Sequence, residues 1–188
     1  YQLGIEDANI ENFNYGGENA FSIAHLPIRL NGEEMNLMFI VVRGSVVDRE
    51  FIGDHFAKAN REFLGYMAYD YVEDFEKKVW EAVKEYANGH EDLYDKPRTF
   101  FITGHSLGGA TANLITALAN NPETGNSWIF MDTDVSRIFT YTYGAIDSIK
   151  VDAPVTTGYQ NIHNIYNFFD TYGPNGRDTL SAAGNSMY

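Results

Sequence analysis

Apolar and polar positions along this chain change period several times, and each change marks the edge of an element. Ala20 to Leu30 and Met35 to Arg43 are β-favouring runs, the second nearly continuous in apolar residues. Between them stands Asn31-Gly32, a dipeptide that accepts positive φ at both centres of a tight hairpin turn. Ile52, Phe56, Ala59 and Phe63 then recur at helical spacing between Arg49 and Phe63. A second helical stretch runs from Tyr71 to Ala87 through Val72, Phe75, Val79, Val83 and Tyr86, and Asn88-Gly89 supplies its stop. Thr99 to Ile102 is a short β-favouring run, after which Ala110, Leu114, Ile115, Leu118 and Ala119 return to helical spacing as far as Asn120, before Asn121-Pro122. Arg137 to Tyr143, closed by Gly144, and Ile162 to Phe169, closed by Asp170, are apolar enough for strands of a sheet covered on both faces. Strands alternating with helices predict an α/β fold with a mostly parallel sheet and an antiparallel hairpin near the N-terminus. Residues 1–19, rich in Asn and Gly, are expected to be irregular, and residues 20–188 to form one domain, since no repeat, low-complexity tract or linker divides them.

Size and charge narrow the chemistry. A chain of 188 residues buries about 70% of its unfolded surface, enough for one substantial core. Its net charge of −13 argues against nucleic acid and anionic membrane surfaces as partners, both of which favour Lys/Arg clusters, and leaves neutral substrates as the better match. The absence of cysteine excludes a disulfide framework and thiol redox chemistry. The longest apolar run, Leu37 to Val42, falls far short of the roughly 18 to 20 residues that span a bilayer. The chain begins at Tyr1 rather than at Met, so an upstream segment is expected to have been removed.

The chemistry-bearing pattern is Gly104-His105-Ser106-Leu107-Gly108, set between the predicted strand and helix. A serine on a sharp strand-to-helix turn sits in strained backbone, and side chains at 104 and 108 would collide across the turn, so glycine is required at both. The turn exposes the hydroxyl and aims the backbone N–H of Leu107, at the helix N-terminus, at the place where negative charge develops in acyl transfer. A bare Gly-x-Ser-x-Gly arises by chance in roughly one chain in fifteen to twenty of this length. The weight therefore rests on strand, elbow and helix appearing in the required order. In open α/β sheets reactive groups gather beyond the carboxyl ends of the strands. Arg43-Gly44-Ser45 ends an earlier strand there, and Ser45 can supply a second oxyanion donor, the plain alternative being an ordinary turn.

These residues carry a family resemblance. Val41-Val42-Arg43-Gly44-Ser45, Phe63-Leu64-Gly65-Tyr66, Thr103 to Ala110 and Tyr141-Thr142-Tyr143-Gly144 together resemble landmarks of the class 3 lipases, the fungal-type triacylglycerol lipases with an α/β-hydrolase fold. The resemblance spans roughly residues 20 to 175. It implies Ser106 as nucleophile, Ser45 and Leu107 as oxyanion donors and Asp170 as the acid that orients a histidine, with a lipid or small neutral ester as substrate and no cofactor. After Gly144 the family continues with a polar residue and proline, whereas this chain has Ala145-Ile146. Asp170 also satisfies the order Ser, acid, His at the end of a later strand; its competitors are Asp147, Asp132 and Asp134.

No histidine follows Asp170. Serine needs an imidazole to take its proton, and the five present are His25, His55, His90, His105 and His163. His163 precedes Asp170 by seven residues, ~23 Å of extended chain. His105 is read as a packing residue beside the serine, His55 as a helix position bordering the site, and His25 and His90 as strand and surface positions. The triad histidine is accordingly expected beyond Tyr188, in chain not shown here. The contrasting reading is a non-catalytic binding module on the same scaffold. Ile52, His55 and Phe56 are candidate substrate or lid residues, with a plain core helix as the alternative. Asp48, Asp54 and His55 lack recurring ligand spacing, so no metal site is expected. Neither Tyr15-Gly16-Gly17 nor Tyr172-Gly173-Pro174-Asn175-Gly176 has the context of a phosphate loop.

Overall fold

A computed structural model describes residues 10–15, 18–44, 64–120, 133–145 and 159–165. Six strands form one sheet in chain order: β1 (Ile10–Tyr15), β2 (Glu18–Leu30), β3 (Glu33–Val42), β4 (Arg98–His105), β5 (Ile138–Tyr143) and β6 (Ile162–Ile165). β1, β2 and β3 pair antiparallel as a meander, and β3 to β6 pair parallel. Helix α1 (Leu64–Gly89) lies between β3 and β4 in the chain, and α2 (Leu107–Asn120) between β4 and β5. The expected α/β-hydrolase arrangement of sheet and helices is present.

Local chemistry explains the boundaries. Asn31 and Gly32 have φ of 52° and 88°, the mirror-image turn whose twist matches the flanking strands. α1 ends at Gly89, as its Asn-Gly stop predicts, but starts at Leu64, seven residues before the predicted Tyr71. Arg137, predicted to open β5, instead closes a short 3-10 turn whose N-cap Asp134 accepts from the Ser136 N–H at 2.8 Å. The Ser136 hydroxyl first, and this N–H second, hold the Asp134 carboxyl below its ordinary range. The predicted helix over 49–63 lies outside the described residues, as do 166–169 of the predicted last strand.

The irregular N-terminus expected over residues 1–19 is corrected at 10–15, which form β1, and at 18–19, which open β2. Asn and Glu have low β propensity, yet Ile10–Tyr15 forms β1 because its partners reward pairing. The Phe13 ring stacks on Phe21 with centroids 5.1 Å apart, and Ser22 donates its hydroxyl proton to Asn12 Oδ1 at 2.6 Å. Residues 1–9 lie outside the described residues.

The period-2 pattern sorts the sheet into two unlike faces. Ile23, Met38, Ile40, Phe100, Ile102 and Ile138 are buried with Val79, Val83 and Tyr86 of α1 and Ala112 and Ile115 of α2 in one core cluster. Both crossovers step in the same direction across the sheet, so right-handed connections set both helices on the same side. The second face carries a row of rings, Phe39, Phe101, Tyr141 and His163, each in contact with the next. Among the described residues no helix is long and apolar enough to cross a membrane.

Candidate active site

β4 enters the elbow as an ordinary buried strand and leaves it as a helix within one residue. Ser106 has φ of 54°, the left-handed region that costs a residue with a Cβ roughly 1–2 kcal/mol. Strain of this kind persists only where the surroundings over-determine the backbone. Here they do. The Ser106 N–H donates to the Tyr143 carbonyl at 3.0 Å, and its own carbonyl accepts from the Ala110 N–H at 3.0 Å, which starts α2 immediately. Thr103 Oγ1 donates to the Tyr141 carbonyl at 2.7 Å and fastens the preceding strand to β5.

The two glycines have distinct reasons. A Cβ on Gly104 would overlap the Gly108 carbonyl, which is the predicted collision across the turn. A Cβ on Gly108 would instead overlap the Val42 and Arg43 carbonyls at the end of β3. Gly108 therefore lets α2 lie directly against the strand end that leads into Gly44. Leu107 is the first residue of α2, where its N–H belongs to the set with no partner inside the helix and lies at the positive end of the helix dipole. Thr111 Oγ1 donates to the Leu107 carbonyl at 3.1 Å.

Beside the turn, on the face opposite α1 and α2, lies a cleft of about 470 Å³ lined by Val41, Arg43, Gly44, Thr103, His105 and Tyr143, among others. Its walls mix aliphatic, aromatic and polar groups at the carboxyl ends of β3, β4 and β5, the end of a parallel sheet at which ligands bind. Val41 and Tyr143 are about half exposed there.

Of the residues singled out by the sequence, Ser106 and Leu107 stand together at the elbow. Ser45, Asp170, Ile52, His55 and Phe56 lie outside the described residues. Among the described residues no imidazole hydrogen-bonds the Ser106 hydroxyl. His105 is exposed and turned toward Gly44, where a Cβ would lie 3.3 Å from its Nδ1. His163 stacks on Tyr141 at 4.6 Å, on the face opposite α1 and α2. His25 and His90, read as strand and surface positions, belong to a polar cluster the sequence did not disclose. His25, 2% exposed, meets the Tyr86 hydroxyl through Nδ1 at 2.7 Å and Asp92 Oδ2 through Nε2 at 3.1 Å. The His90 ring stacks on Tyr86 at 4.1 Å, and its Nδ1 lies 2.8 Å from the Tyr86 carbonyl. The partners are 61 and 67 residues from His25, and no local spacing announces them.

The model of the family described as Lipase (class 3) matches residues 39–168, more than half of the chain. Among solved structures the chain is similar to the native Rhizomucor miehei lipase propeptide complex, at 18% identity and a TM-score of 0.42, over 87% of this chain and 54% of that one. It thus spans about half the length of that lipase chain. No curated protein matches it.

Proposed function

The chain belongs to the class 3 lipase family, a lipase-type hydrolase, and from that premise we propose that it is a serine ester hydrolase acting on acylglycerols or similar neutral carboxylic esters. Ser106 Oγ attacks the ester carbonyl carbon, and its proton passes to an imidazole base. The carbonyl oxygen takes up the negative charge and is held by the Leu107 N–H, with Ser45 as the second donor. Asp170 orients the imidazole and stabilises it once protonated. Collapse of the tetrahedral adduct breaks the bond to the alcohol, which leaves with the base's proton, and the acyl group stays on Ser106. Water, deprotonated by the same base, then attacks the acyl-enzyme and releases the carboxylic acid. The net charge of −13 suits a neutral substrate.

The observation that carries the reading is the left-handed φ of Ser106 between β4 and α2, since strain at a solvent-reaching hydroxyl is what an elbow nucleophile requires. The test is an active-site-directed fluorophosphonate on the full chain, beside Ser106→Ala. Labelling of the parent that disappears in the variant supports it. A folded parent that is not labelled, and does not turn over short p-nitrophenyl esters, would favour the binding-module reading.

A further inference from the structure

The face of α2 that meets β5 and β6 is polar in three successive layers. Nearest the elbow, Asn113 Nδ2 donates to Asn164 Oδ1 at 2.8 Å, and the Thr142 hydroxyl donates to the same oxygen. In the middle layer Thr116 meets Thr140. In the last, Asn120 Nδ2 donates to Asn161 Oδ1 at 2.9 Å, while Asn161 Nδ2 donates to the Ile138 carbonyl at 3.0 Å. Asn113, Thr116 and Asn120 follow i, i+3, i+7 spacing, so they form one stripe on α2. Asn113, Thr116, Thr140 and Thr142 are all at least 95% buried.

Strand register is ordinarily set by which face buries apolar side chains. β5 has that signal, with Ile138, Thr140 and Thr142 buried and their neighbours not. β6 does not: none of its four residues is buried, and its two isoleucines, Ile162 and Ile165, point to opposite faces. The side-chain amides supply what apolar burial does not. A slip of one residue would turn His163 toward α2. A slip of two would set an apolar or aromatic side chain where Asn164 stands and strip Asn113 and Thr142 of their partner in a buried layer.

We propose that Asn113, Thr142 and Asn164 are positioning residues whose amide and hydroxyl layer fixes the register of β6 against the nucleophile helix, and so sets where the chain after β6 leaves the sheet relative to Ser106. The functional half of this rests on the reading above, in which that departing chain carries Asp170, six residues after Asn164. A two-residue slip moves the departure point by about 7 Å, more than twice the reach of a hydrogen bond.

The chain has no cysteine, so Leu30→Cys and Ile165→Cys, both at exposed positions, take nitroxide labels for a pulsed-dipolar distance across the sheet. The measurement is made in the parent and in Asn113→Leu/Thr142→Val/Asn164→Leu, which removes donors and acceptor together so that no buried group is orphaned. The expected result is a melting temperature within a few degrees of the parent, with the distance broadened or shifted by about 5–7 Å. For the functional half, ester kcat falls more than tenfold while KM stays within twofold. A single unshifted distance in the folded triple variant overturns the proposal. Where that variant does not fold, Asn164→Gln, which keeps the amide but lengthens its arm, decides instead: a changed distance supports the register role and an unchanged one rejects it. A parent inert to both phosphonate and ester, whose label distance still responds to the seam, counts against the Ser106 reading and for the register role.

Discussion

The backbone N–H of Ser106 donates to the carbonyl oxygen of Tyr143 at 3.0 Å, so the residue that turns out of β4 is still held by the neighbouring strand. One residue on, the Gly144 N–H donates to the Ile165 carbonyl, also at 3.0 Å. The carboxyl ends of β4, β5 and β6 are joined in sequence by these two bonds, just where the elbow concentrates its strain.

That strain has a measurable size. Ser106→Gly removes the Cβ from a left-handed position and should gain about 1 kcal/mol, a rise of roughly 2–4 °C in melting temperature for a domain of this length. Ser106→Ala keeps a Cβ in the same conformation and should melt close to the parent. Calorimetry of the three proteins checks this, and equal melting of the Gly and Ala variants would mean that the elbow stores no strain. Both variants should resist phosphonate labelling.

Gly108 and Gly89 make a contrasting pair. An added Cβ at 108 meets the backbone carbonyls of Val42 and Arg43, which cannot swing aside, whereas at 89 it meets nothing within 4 Å. Gly108→Ala should therefore cost about 1–3 kcal/mol and part the end of β3 from α2, slowing labelling of Ser106 beyond any loss of folded protein. Gly89→Ala, on the last residue of α1, should be neutral or stabilising by up to about 1 kcal/mol. Denaturant midpoints and labelling rates separate the two, and similar costs at both positions would count against the close approach at Gly108.

What could be read from the sequence follows from how local each feature is. The strand, the tight turn at Ser106 and the helix were legible because their requirement, glycine two residues either side of a serine between a strand and a helix, is met within a dozen residues. The Asn31-Gly32 turn was legible for the same reason. β1 was not, since Phe13 gains its place only from Phe21 across the sheet. The amide seam was half visible, as Asn113, Thr116 and Asn120 among the polar residues of a largely apolar helix, but the acceptor on Asn164 is 51 residues from Asn113. The direction of the crossovers, which a sequence does not state, puts both α1 and α2 on one face.

The cluster around His25 predicts an alkaline response. A neutral His25 that accepts from the Tyr86 hydroxyl at Nδ1 and donates from Nε2 to Asp92 satisfies every group, an assignment made from the partners. Burial, reinforced by the negative charges of Glu11 and Asp92, pushes the Tyr86 phenol well above its ordinary range, against a smaller opposing effect of the His25 backbone. The folded chain thus keeps this proton to higher pH than the unfolded chain, whose phenol titrates near ~10. The stability it represents is complete below that pH and is lost progressively as pH rises above it. Tyr86→Phe should cost about 1–3 kcal/mol at pH 8, because it leaves His25 Nδ1 buried without a donor. The same variant should lose less stability than the parent between pH 8 and pH 11. Urea midpoints of both proteins at the two pH values test this, and an equal loss would assign the alkaline sensitivity to others among the thirteen tyrosines.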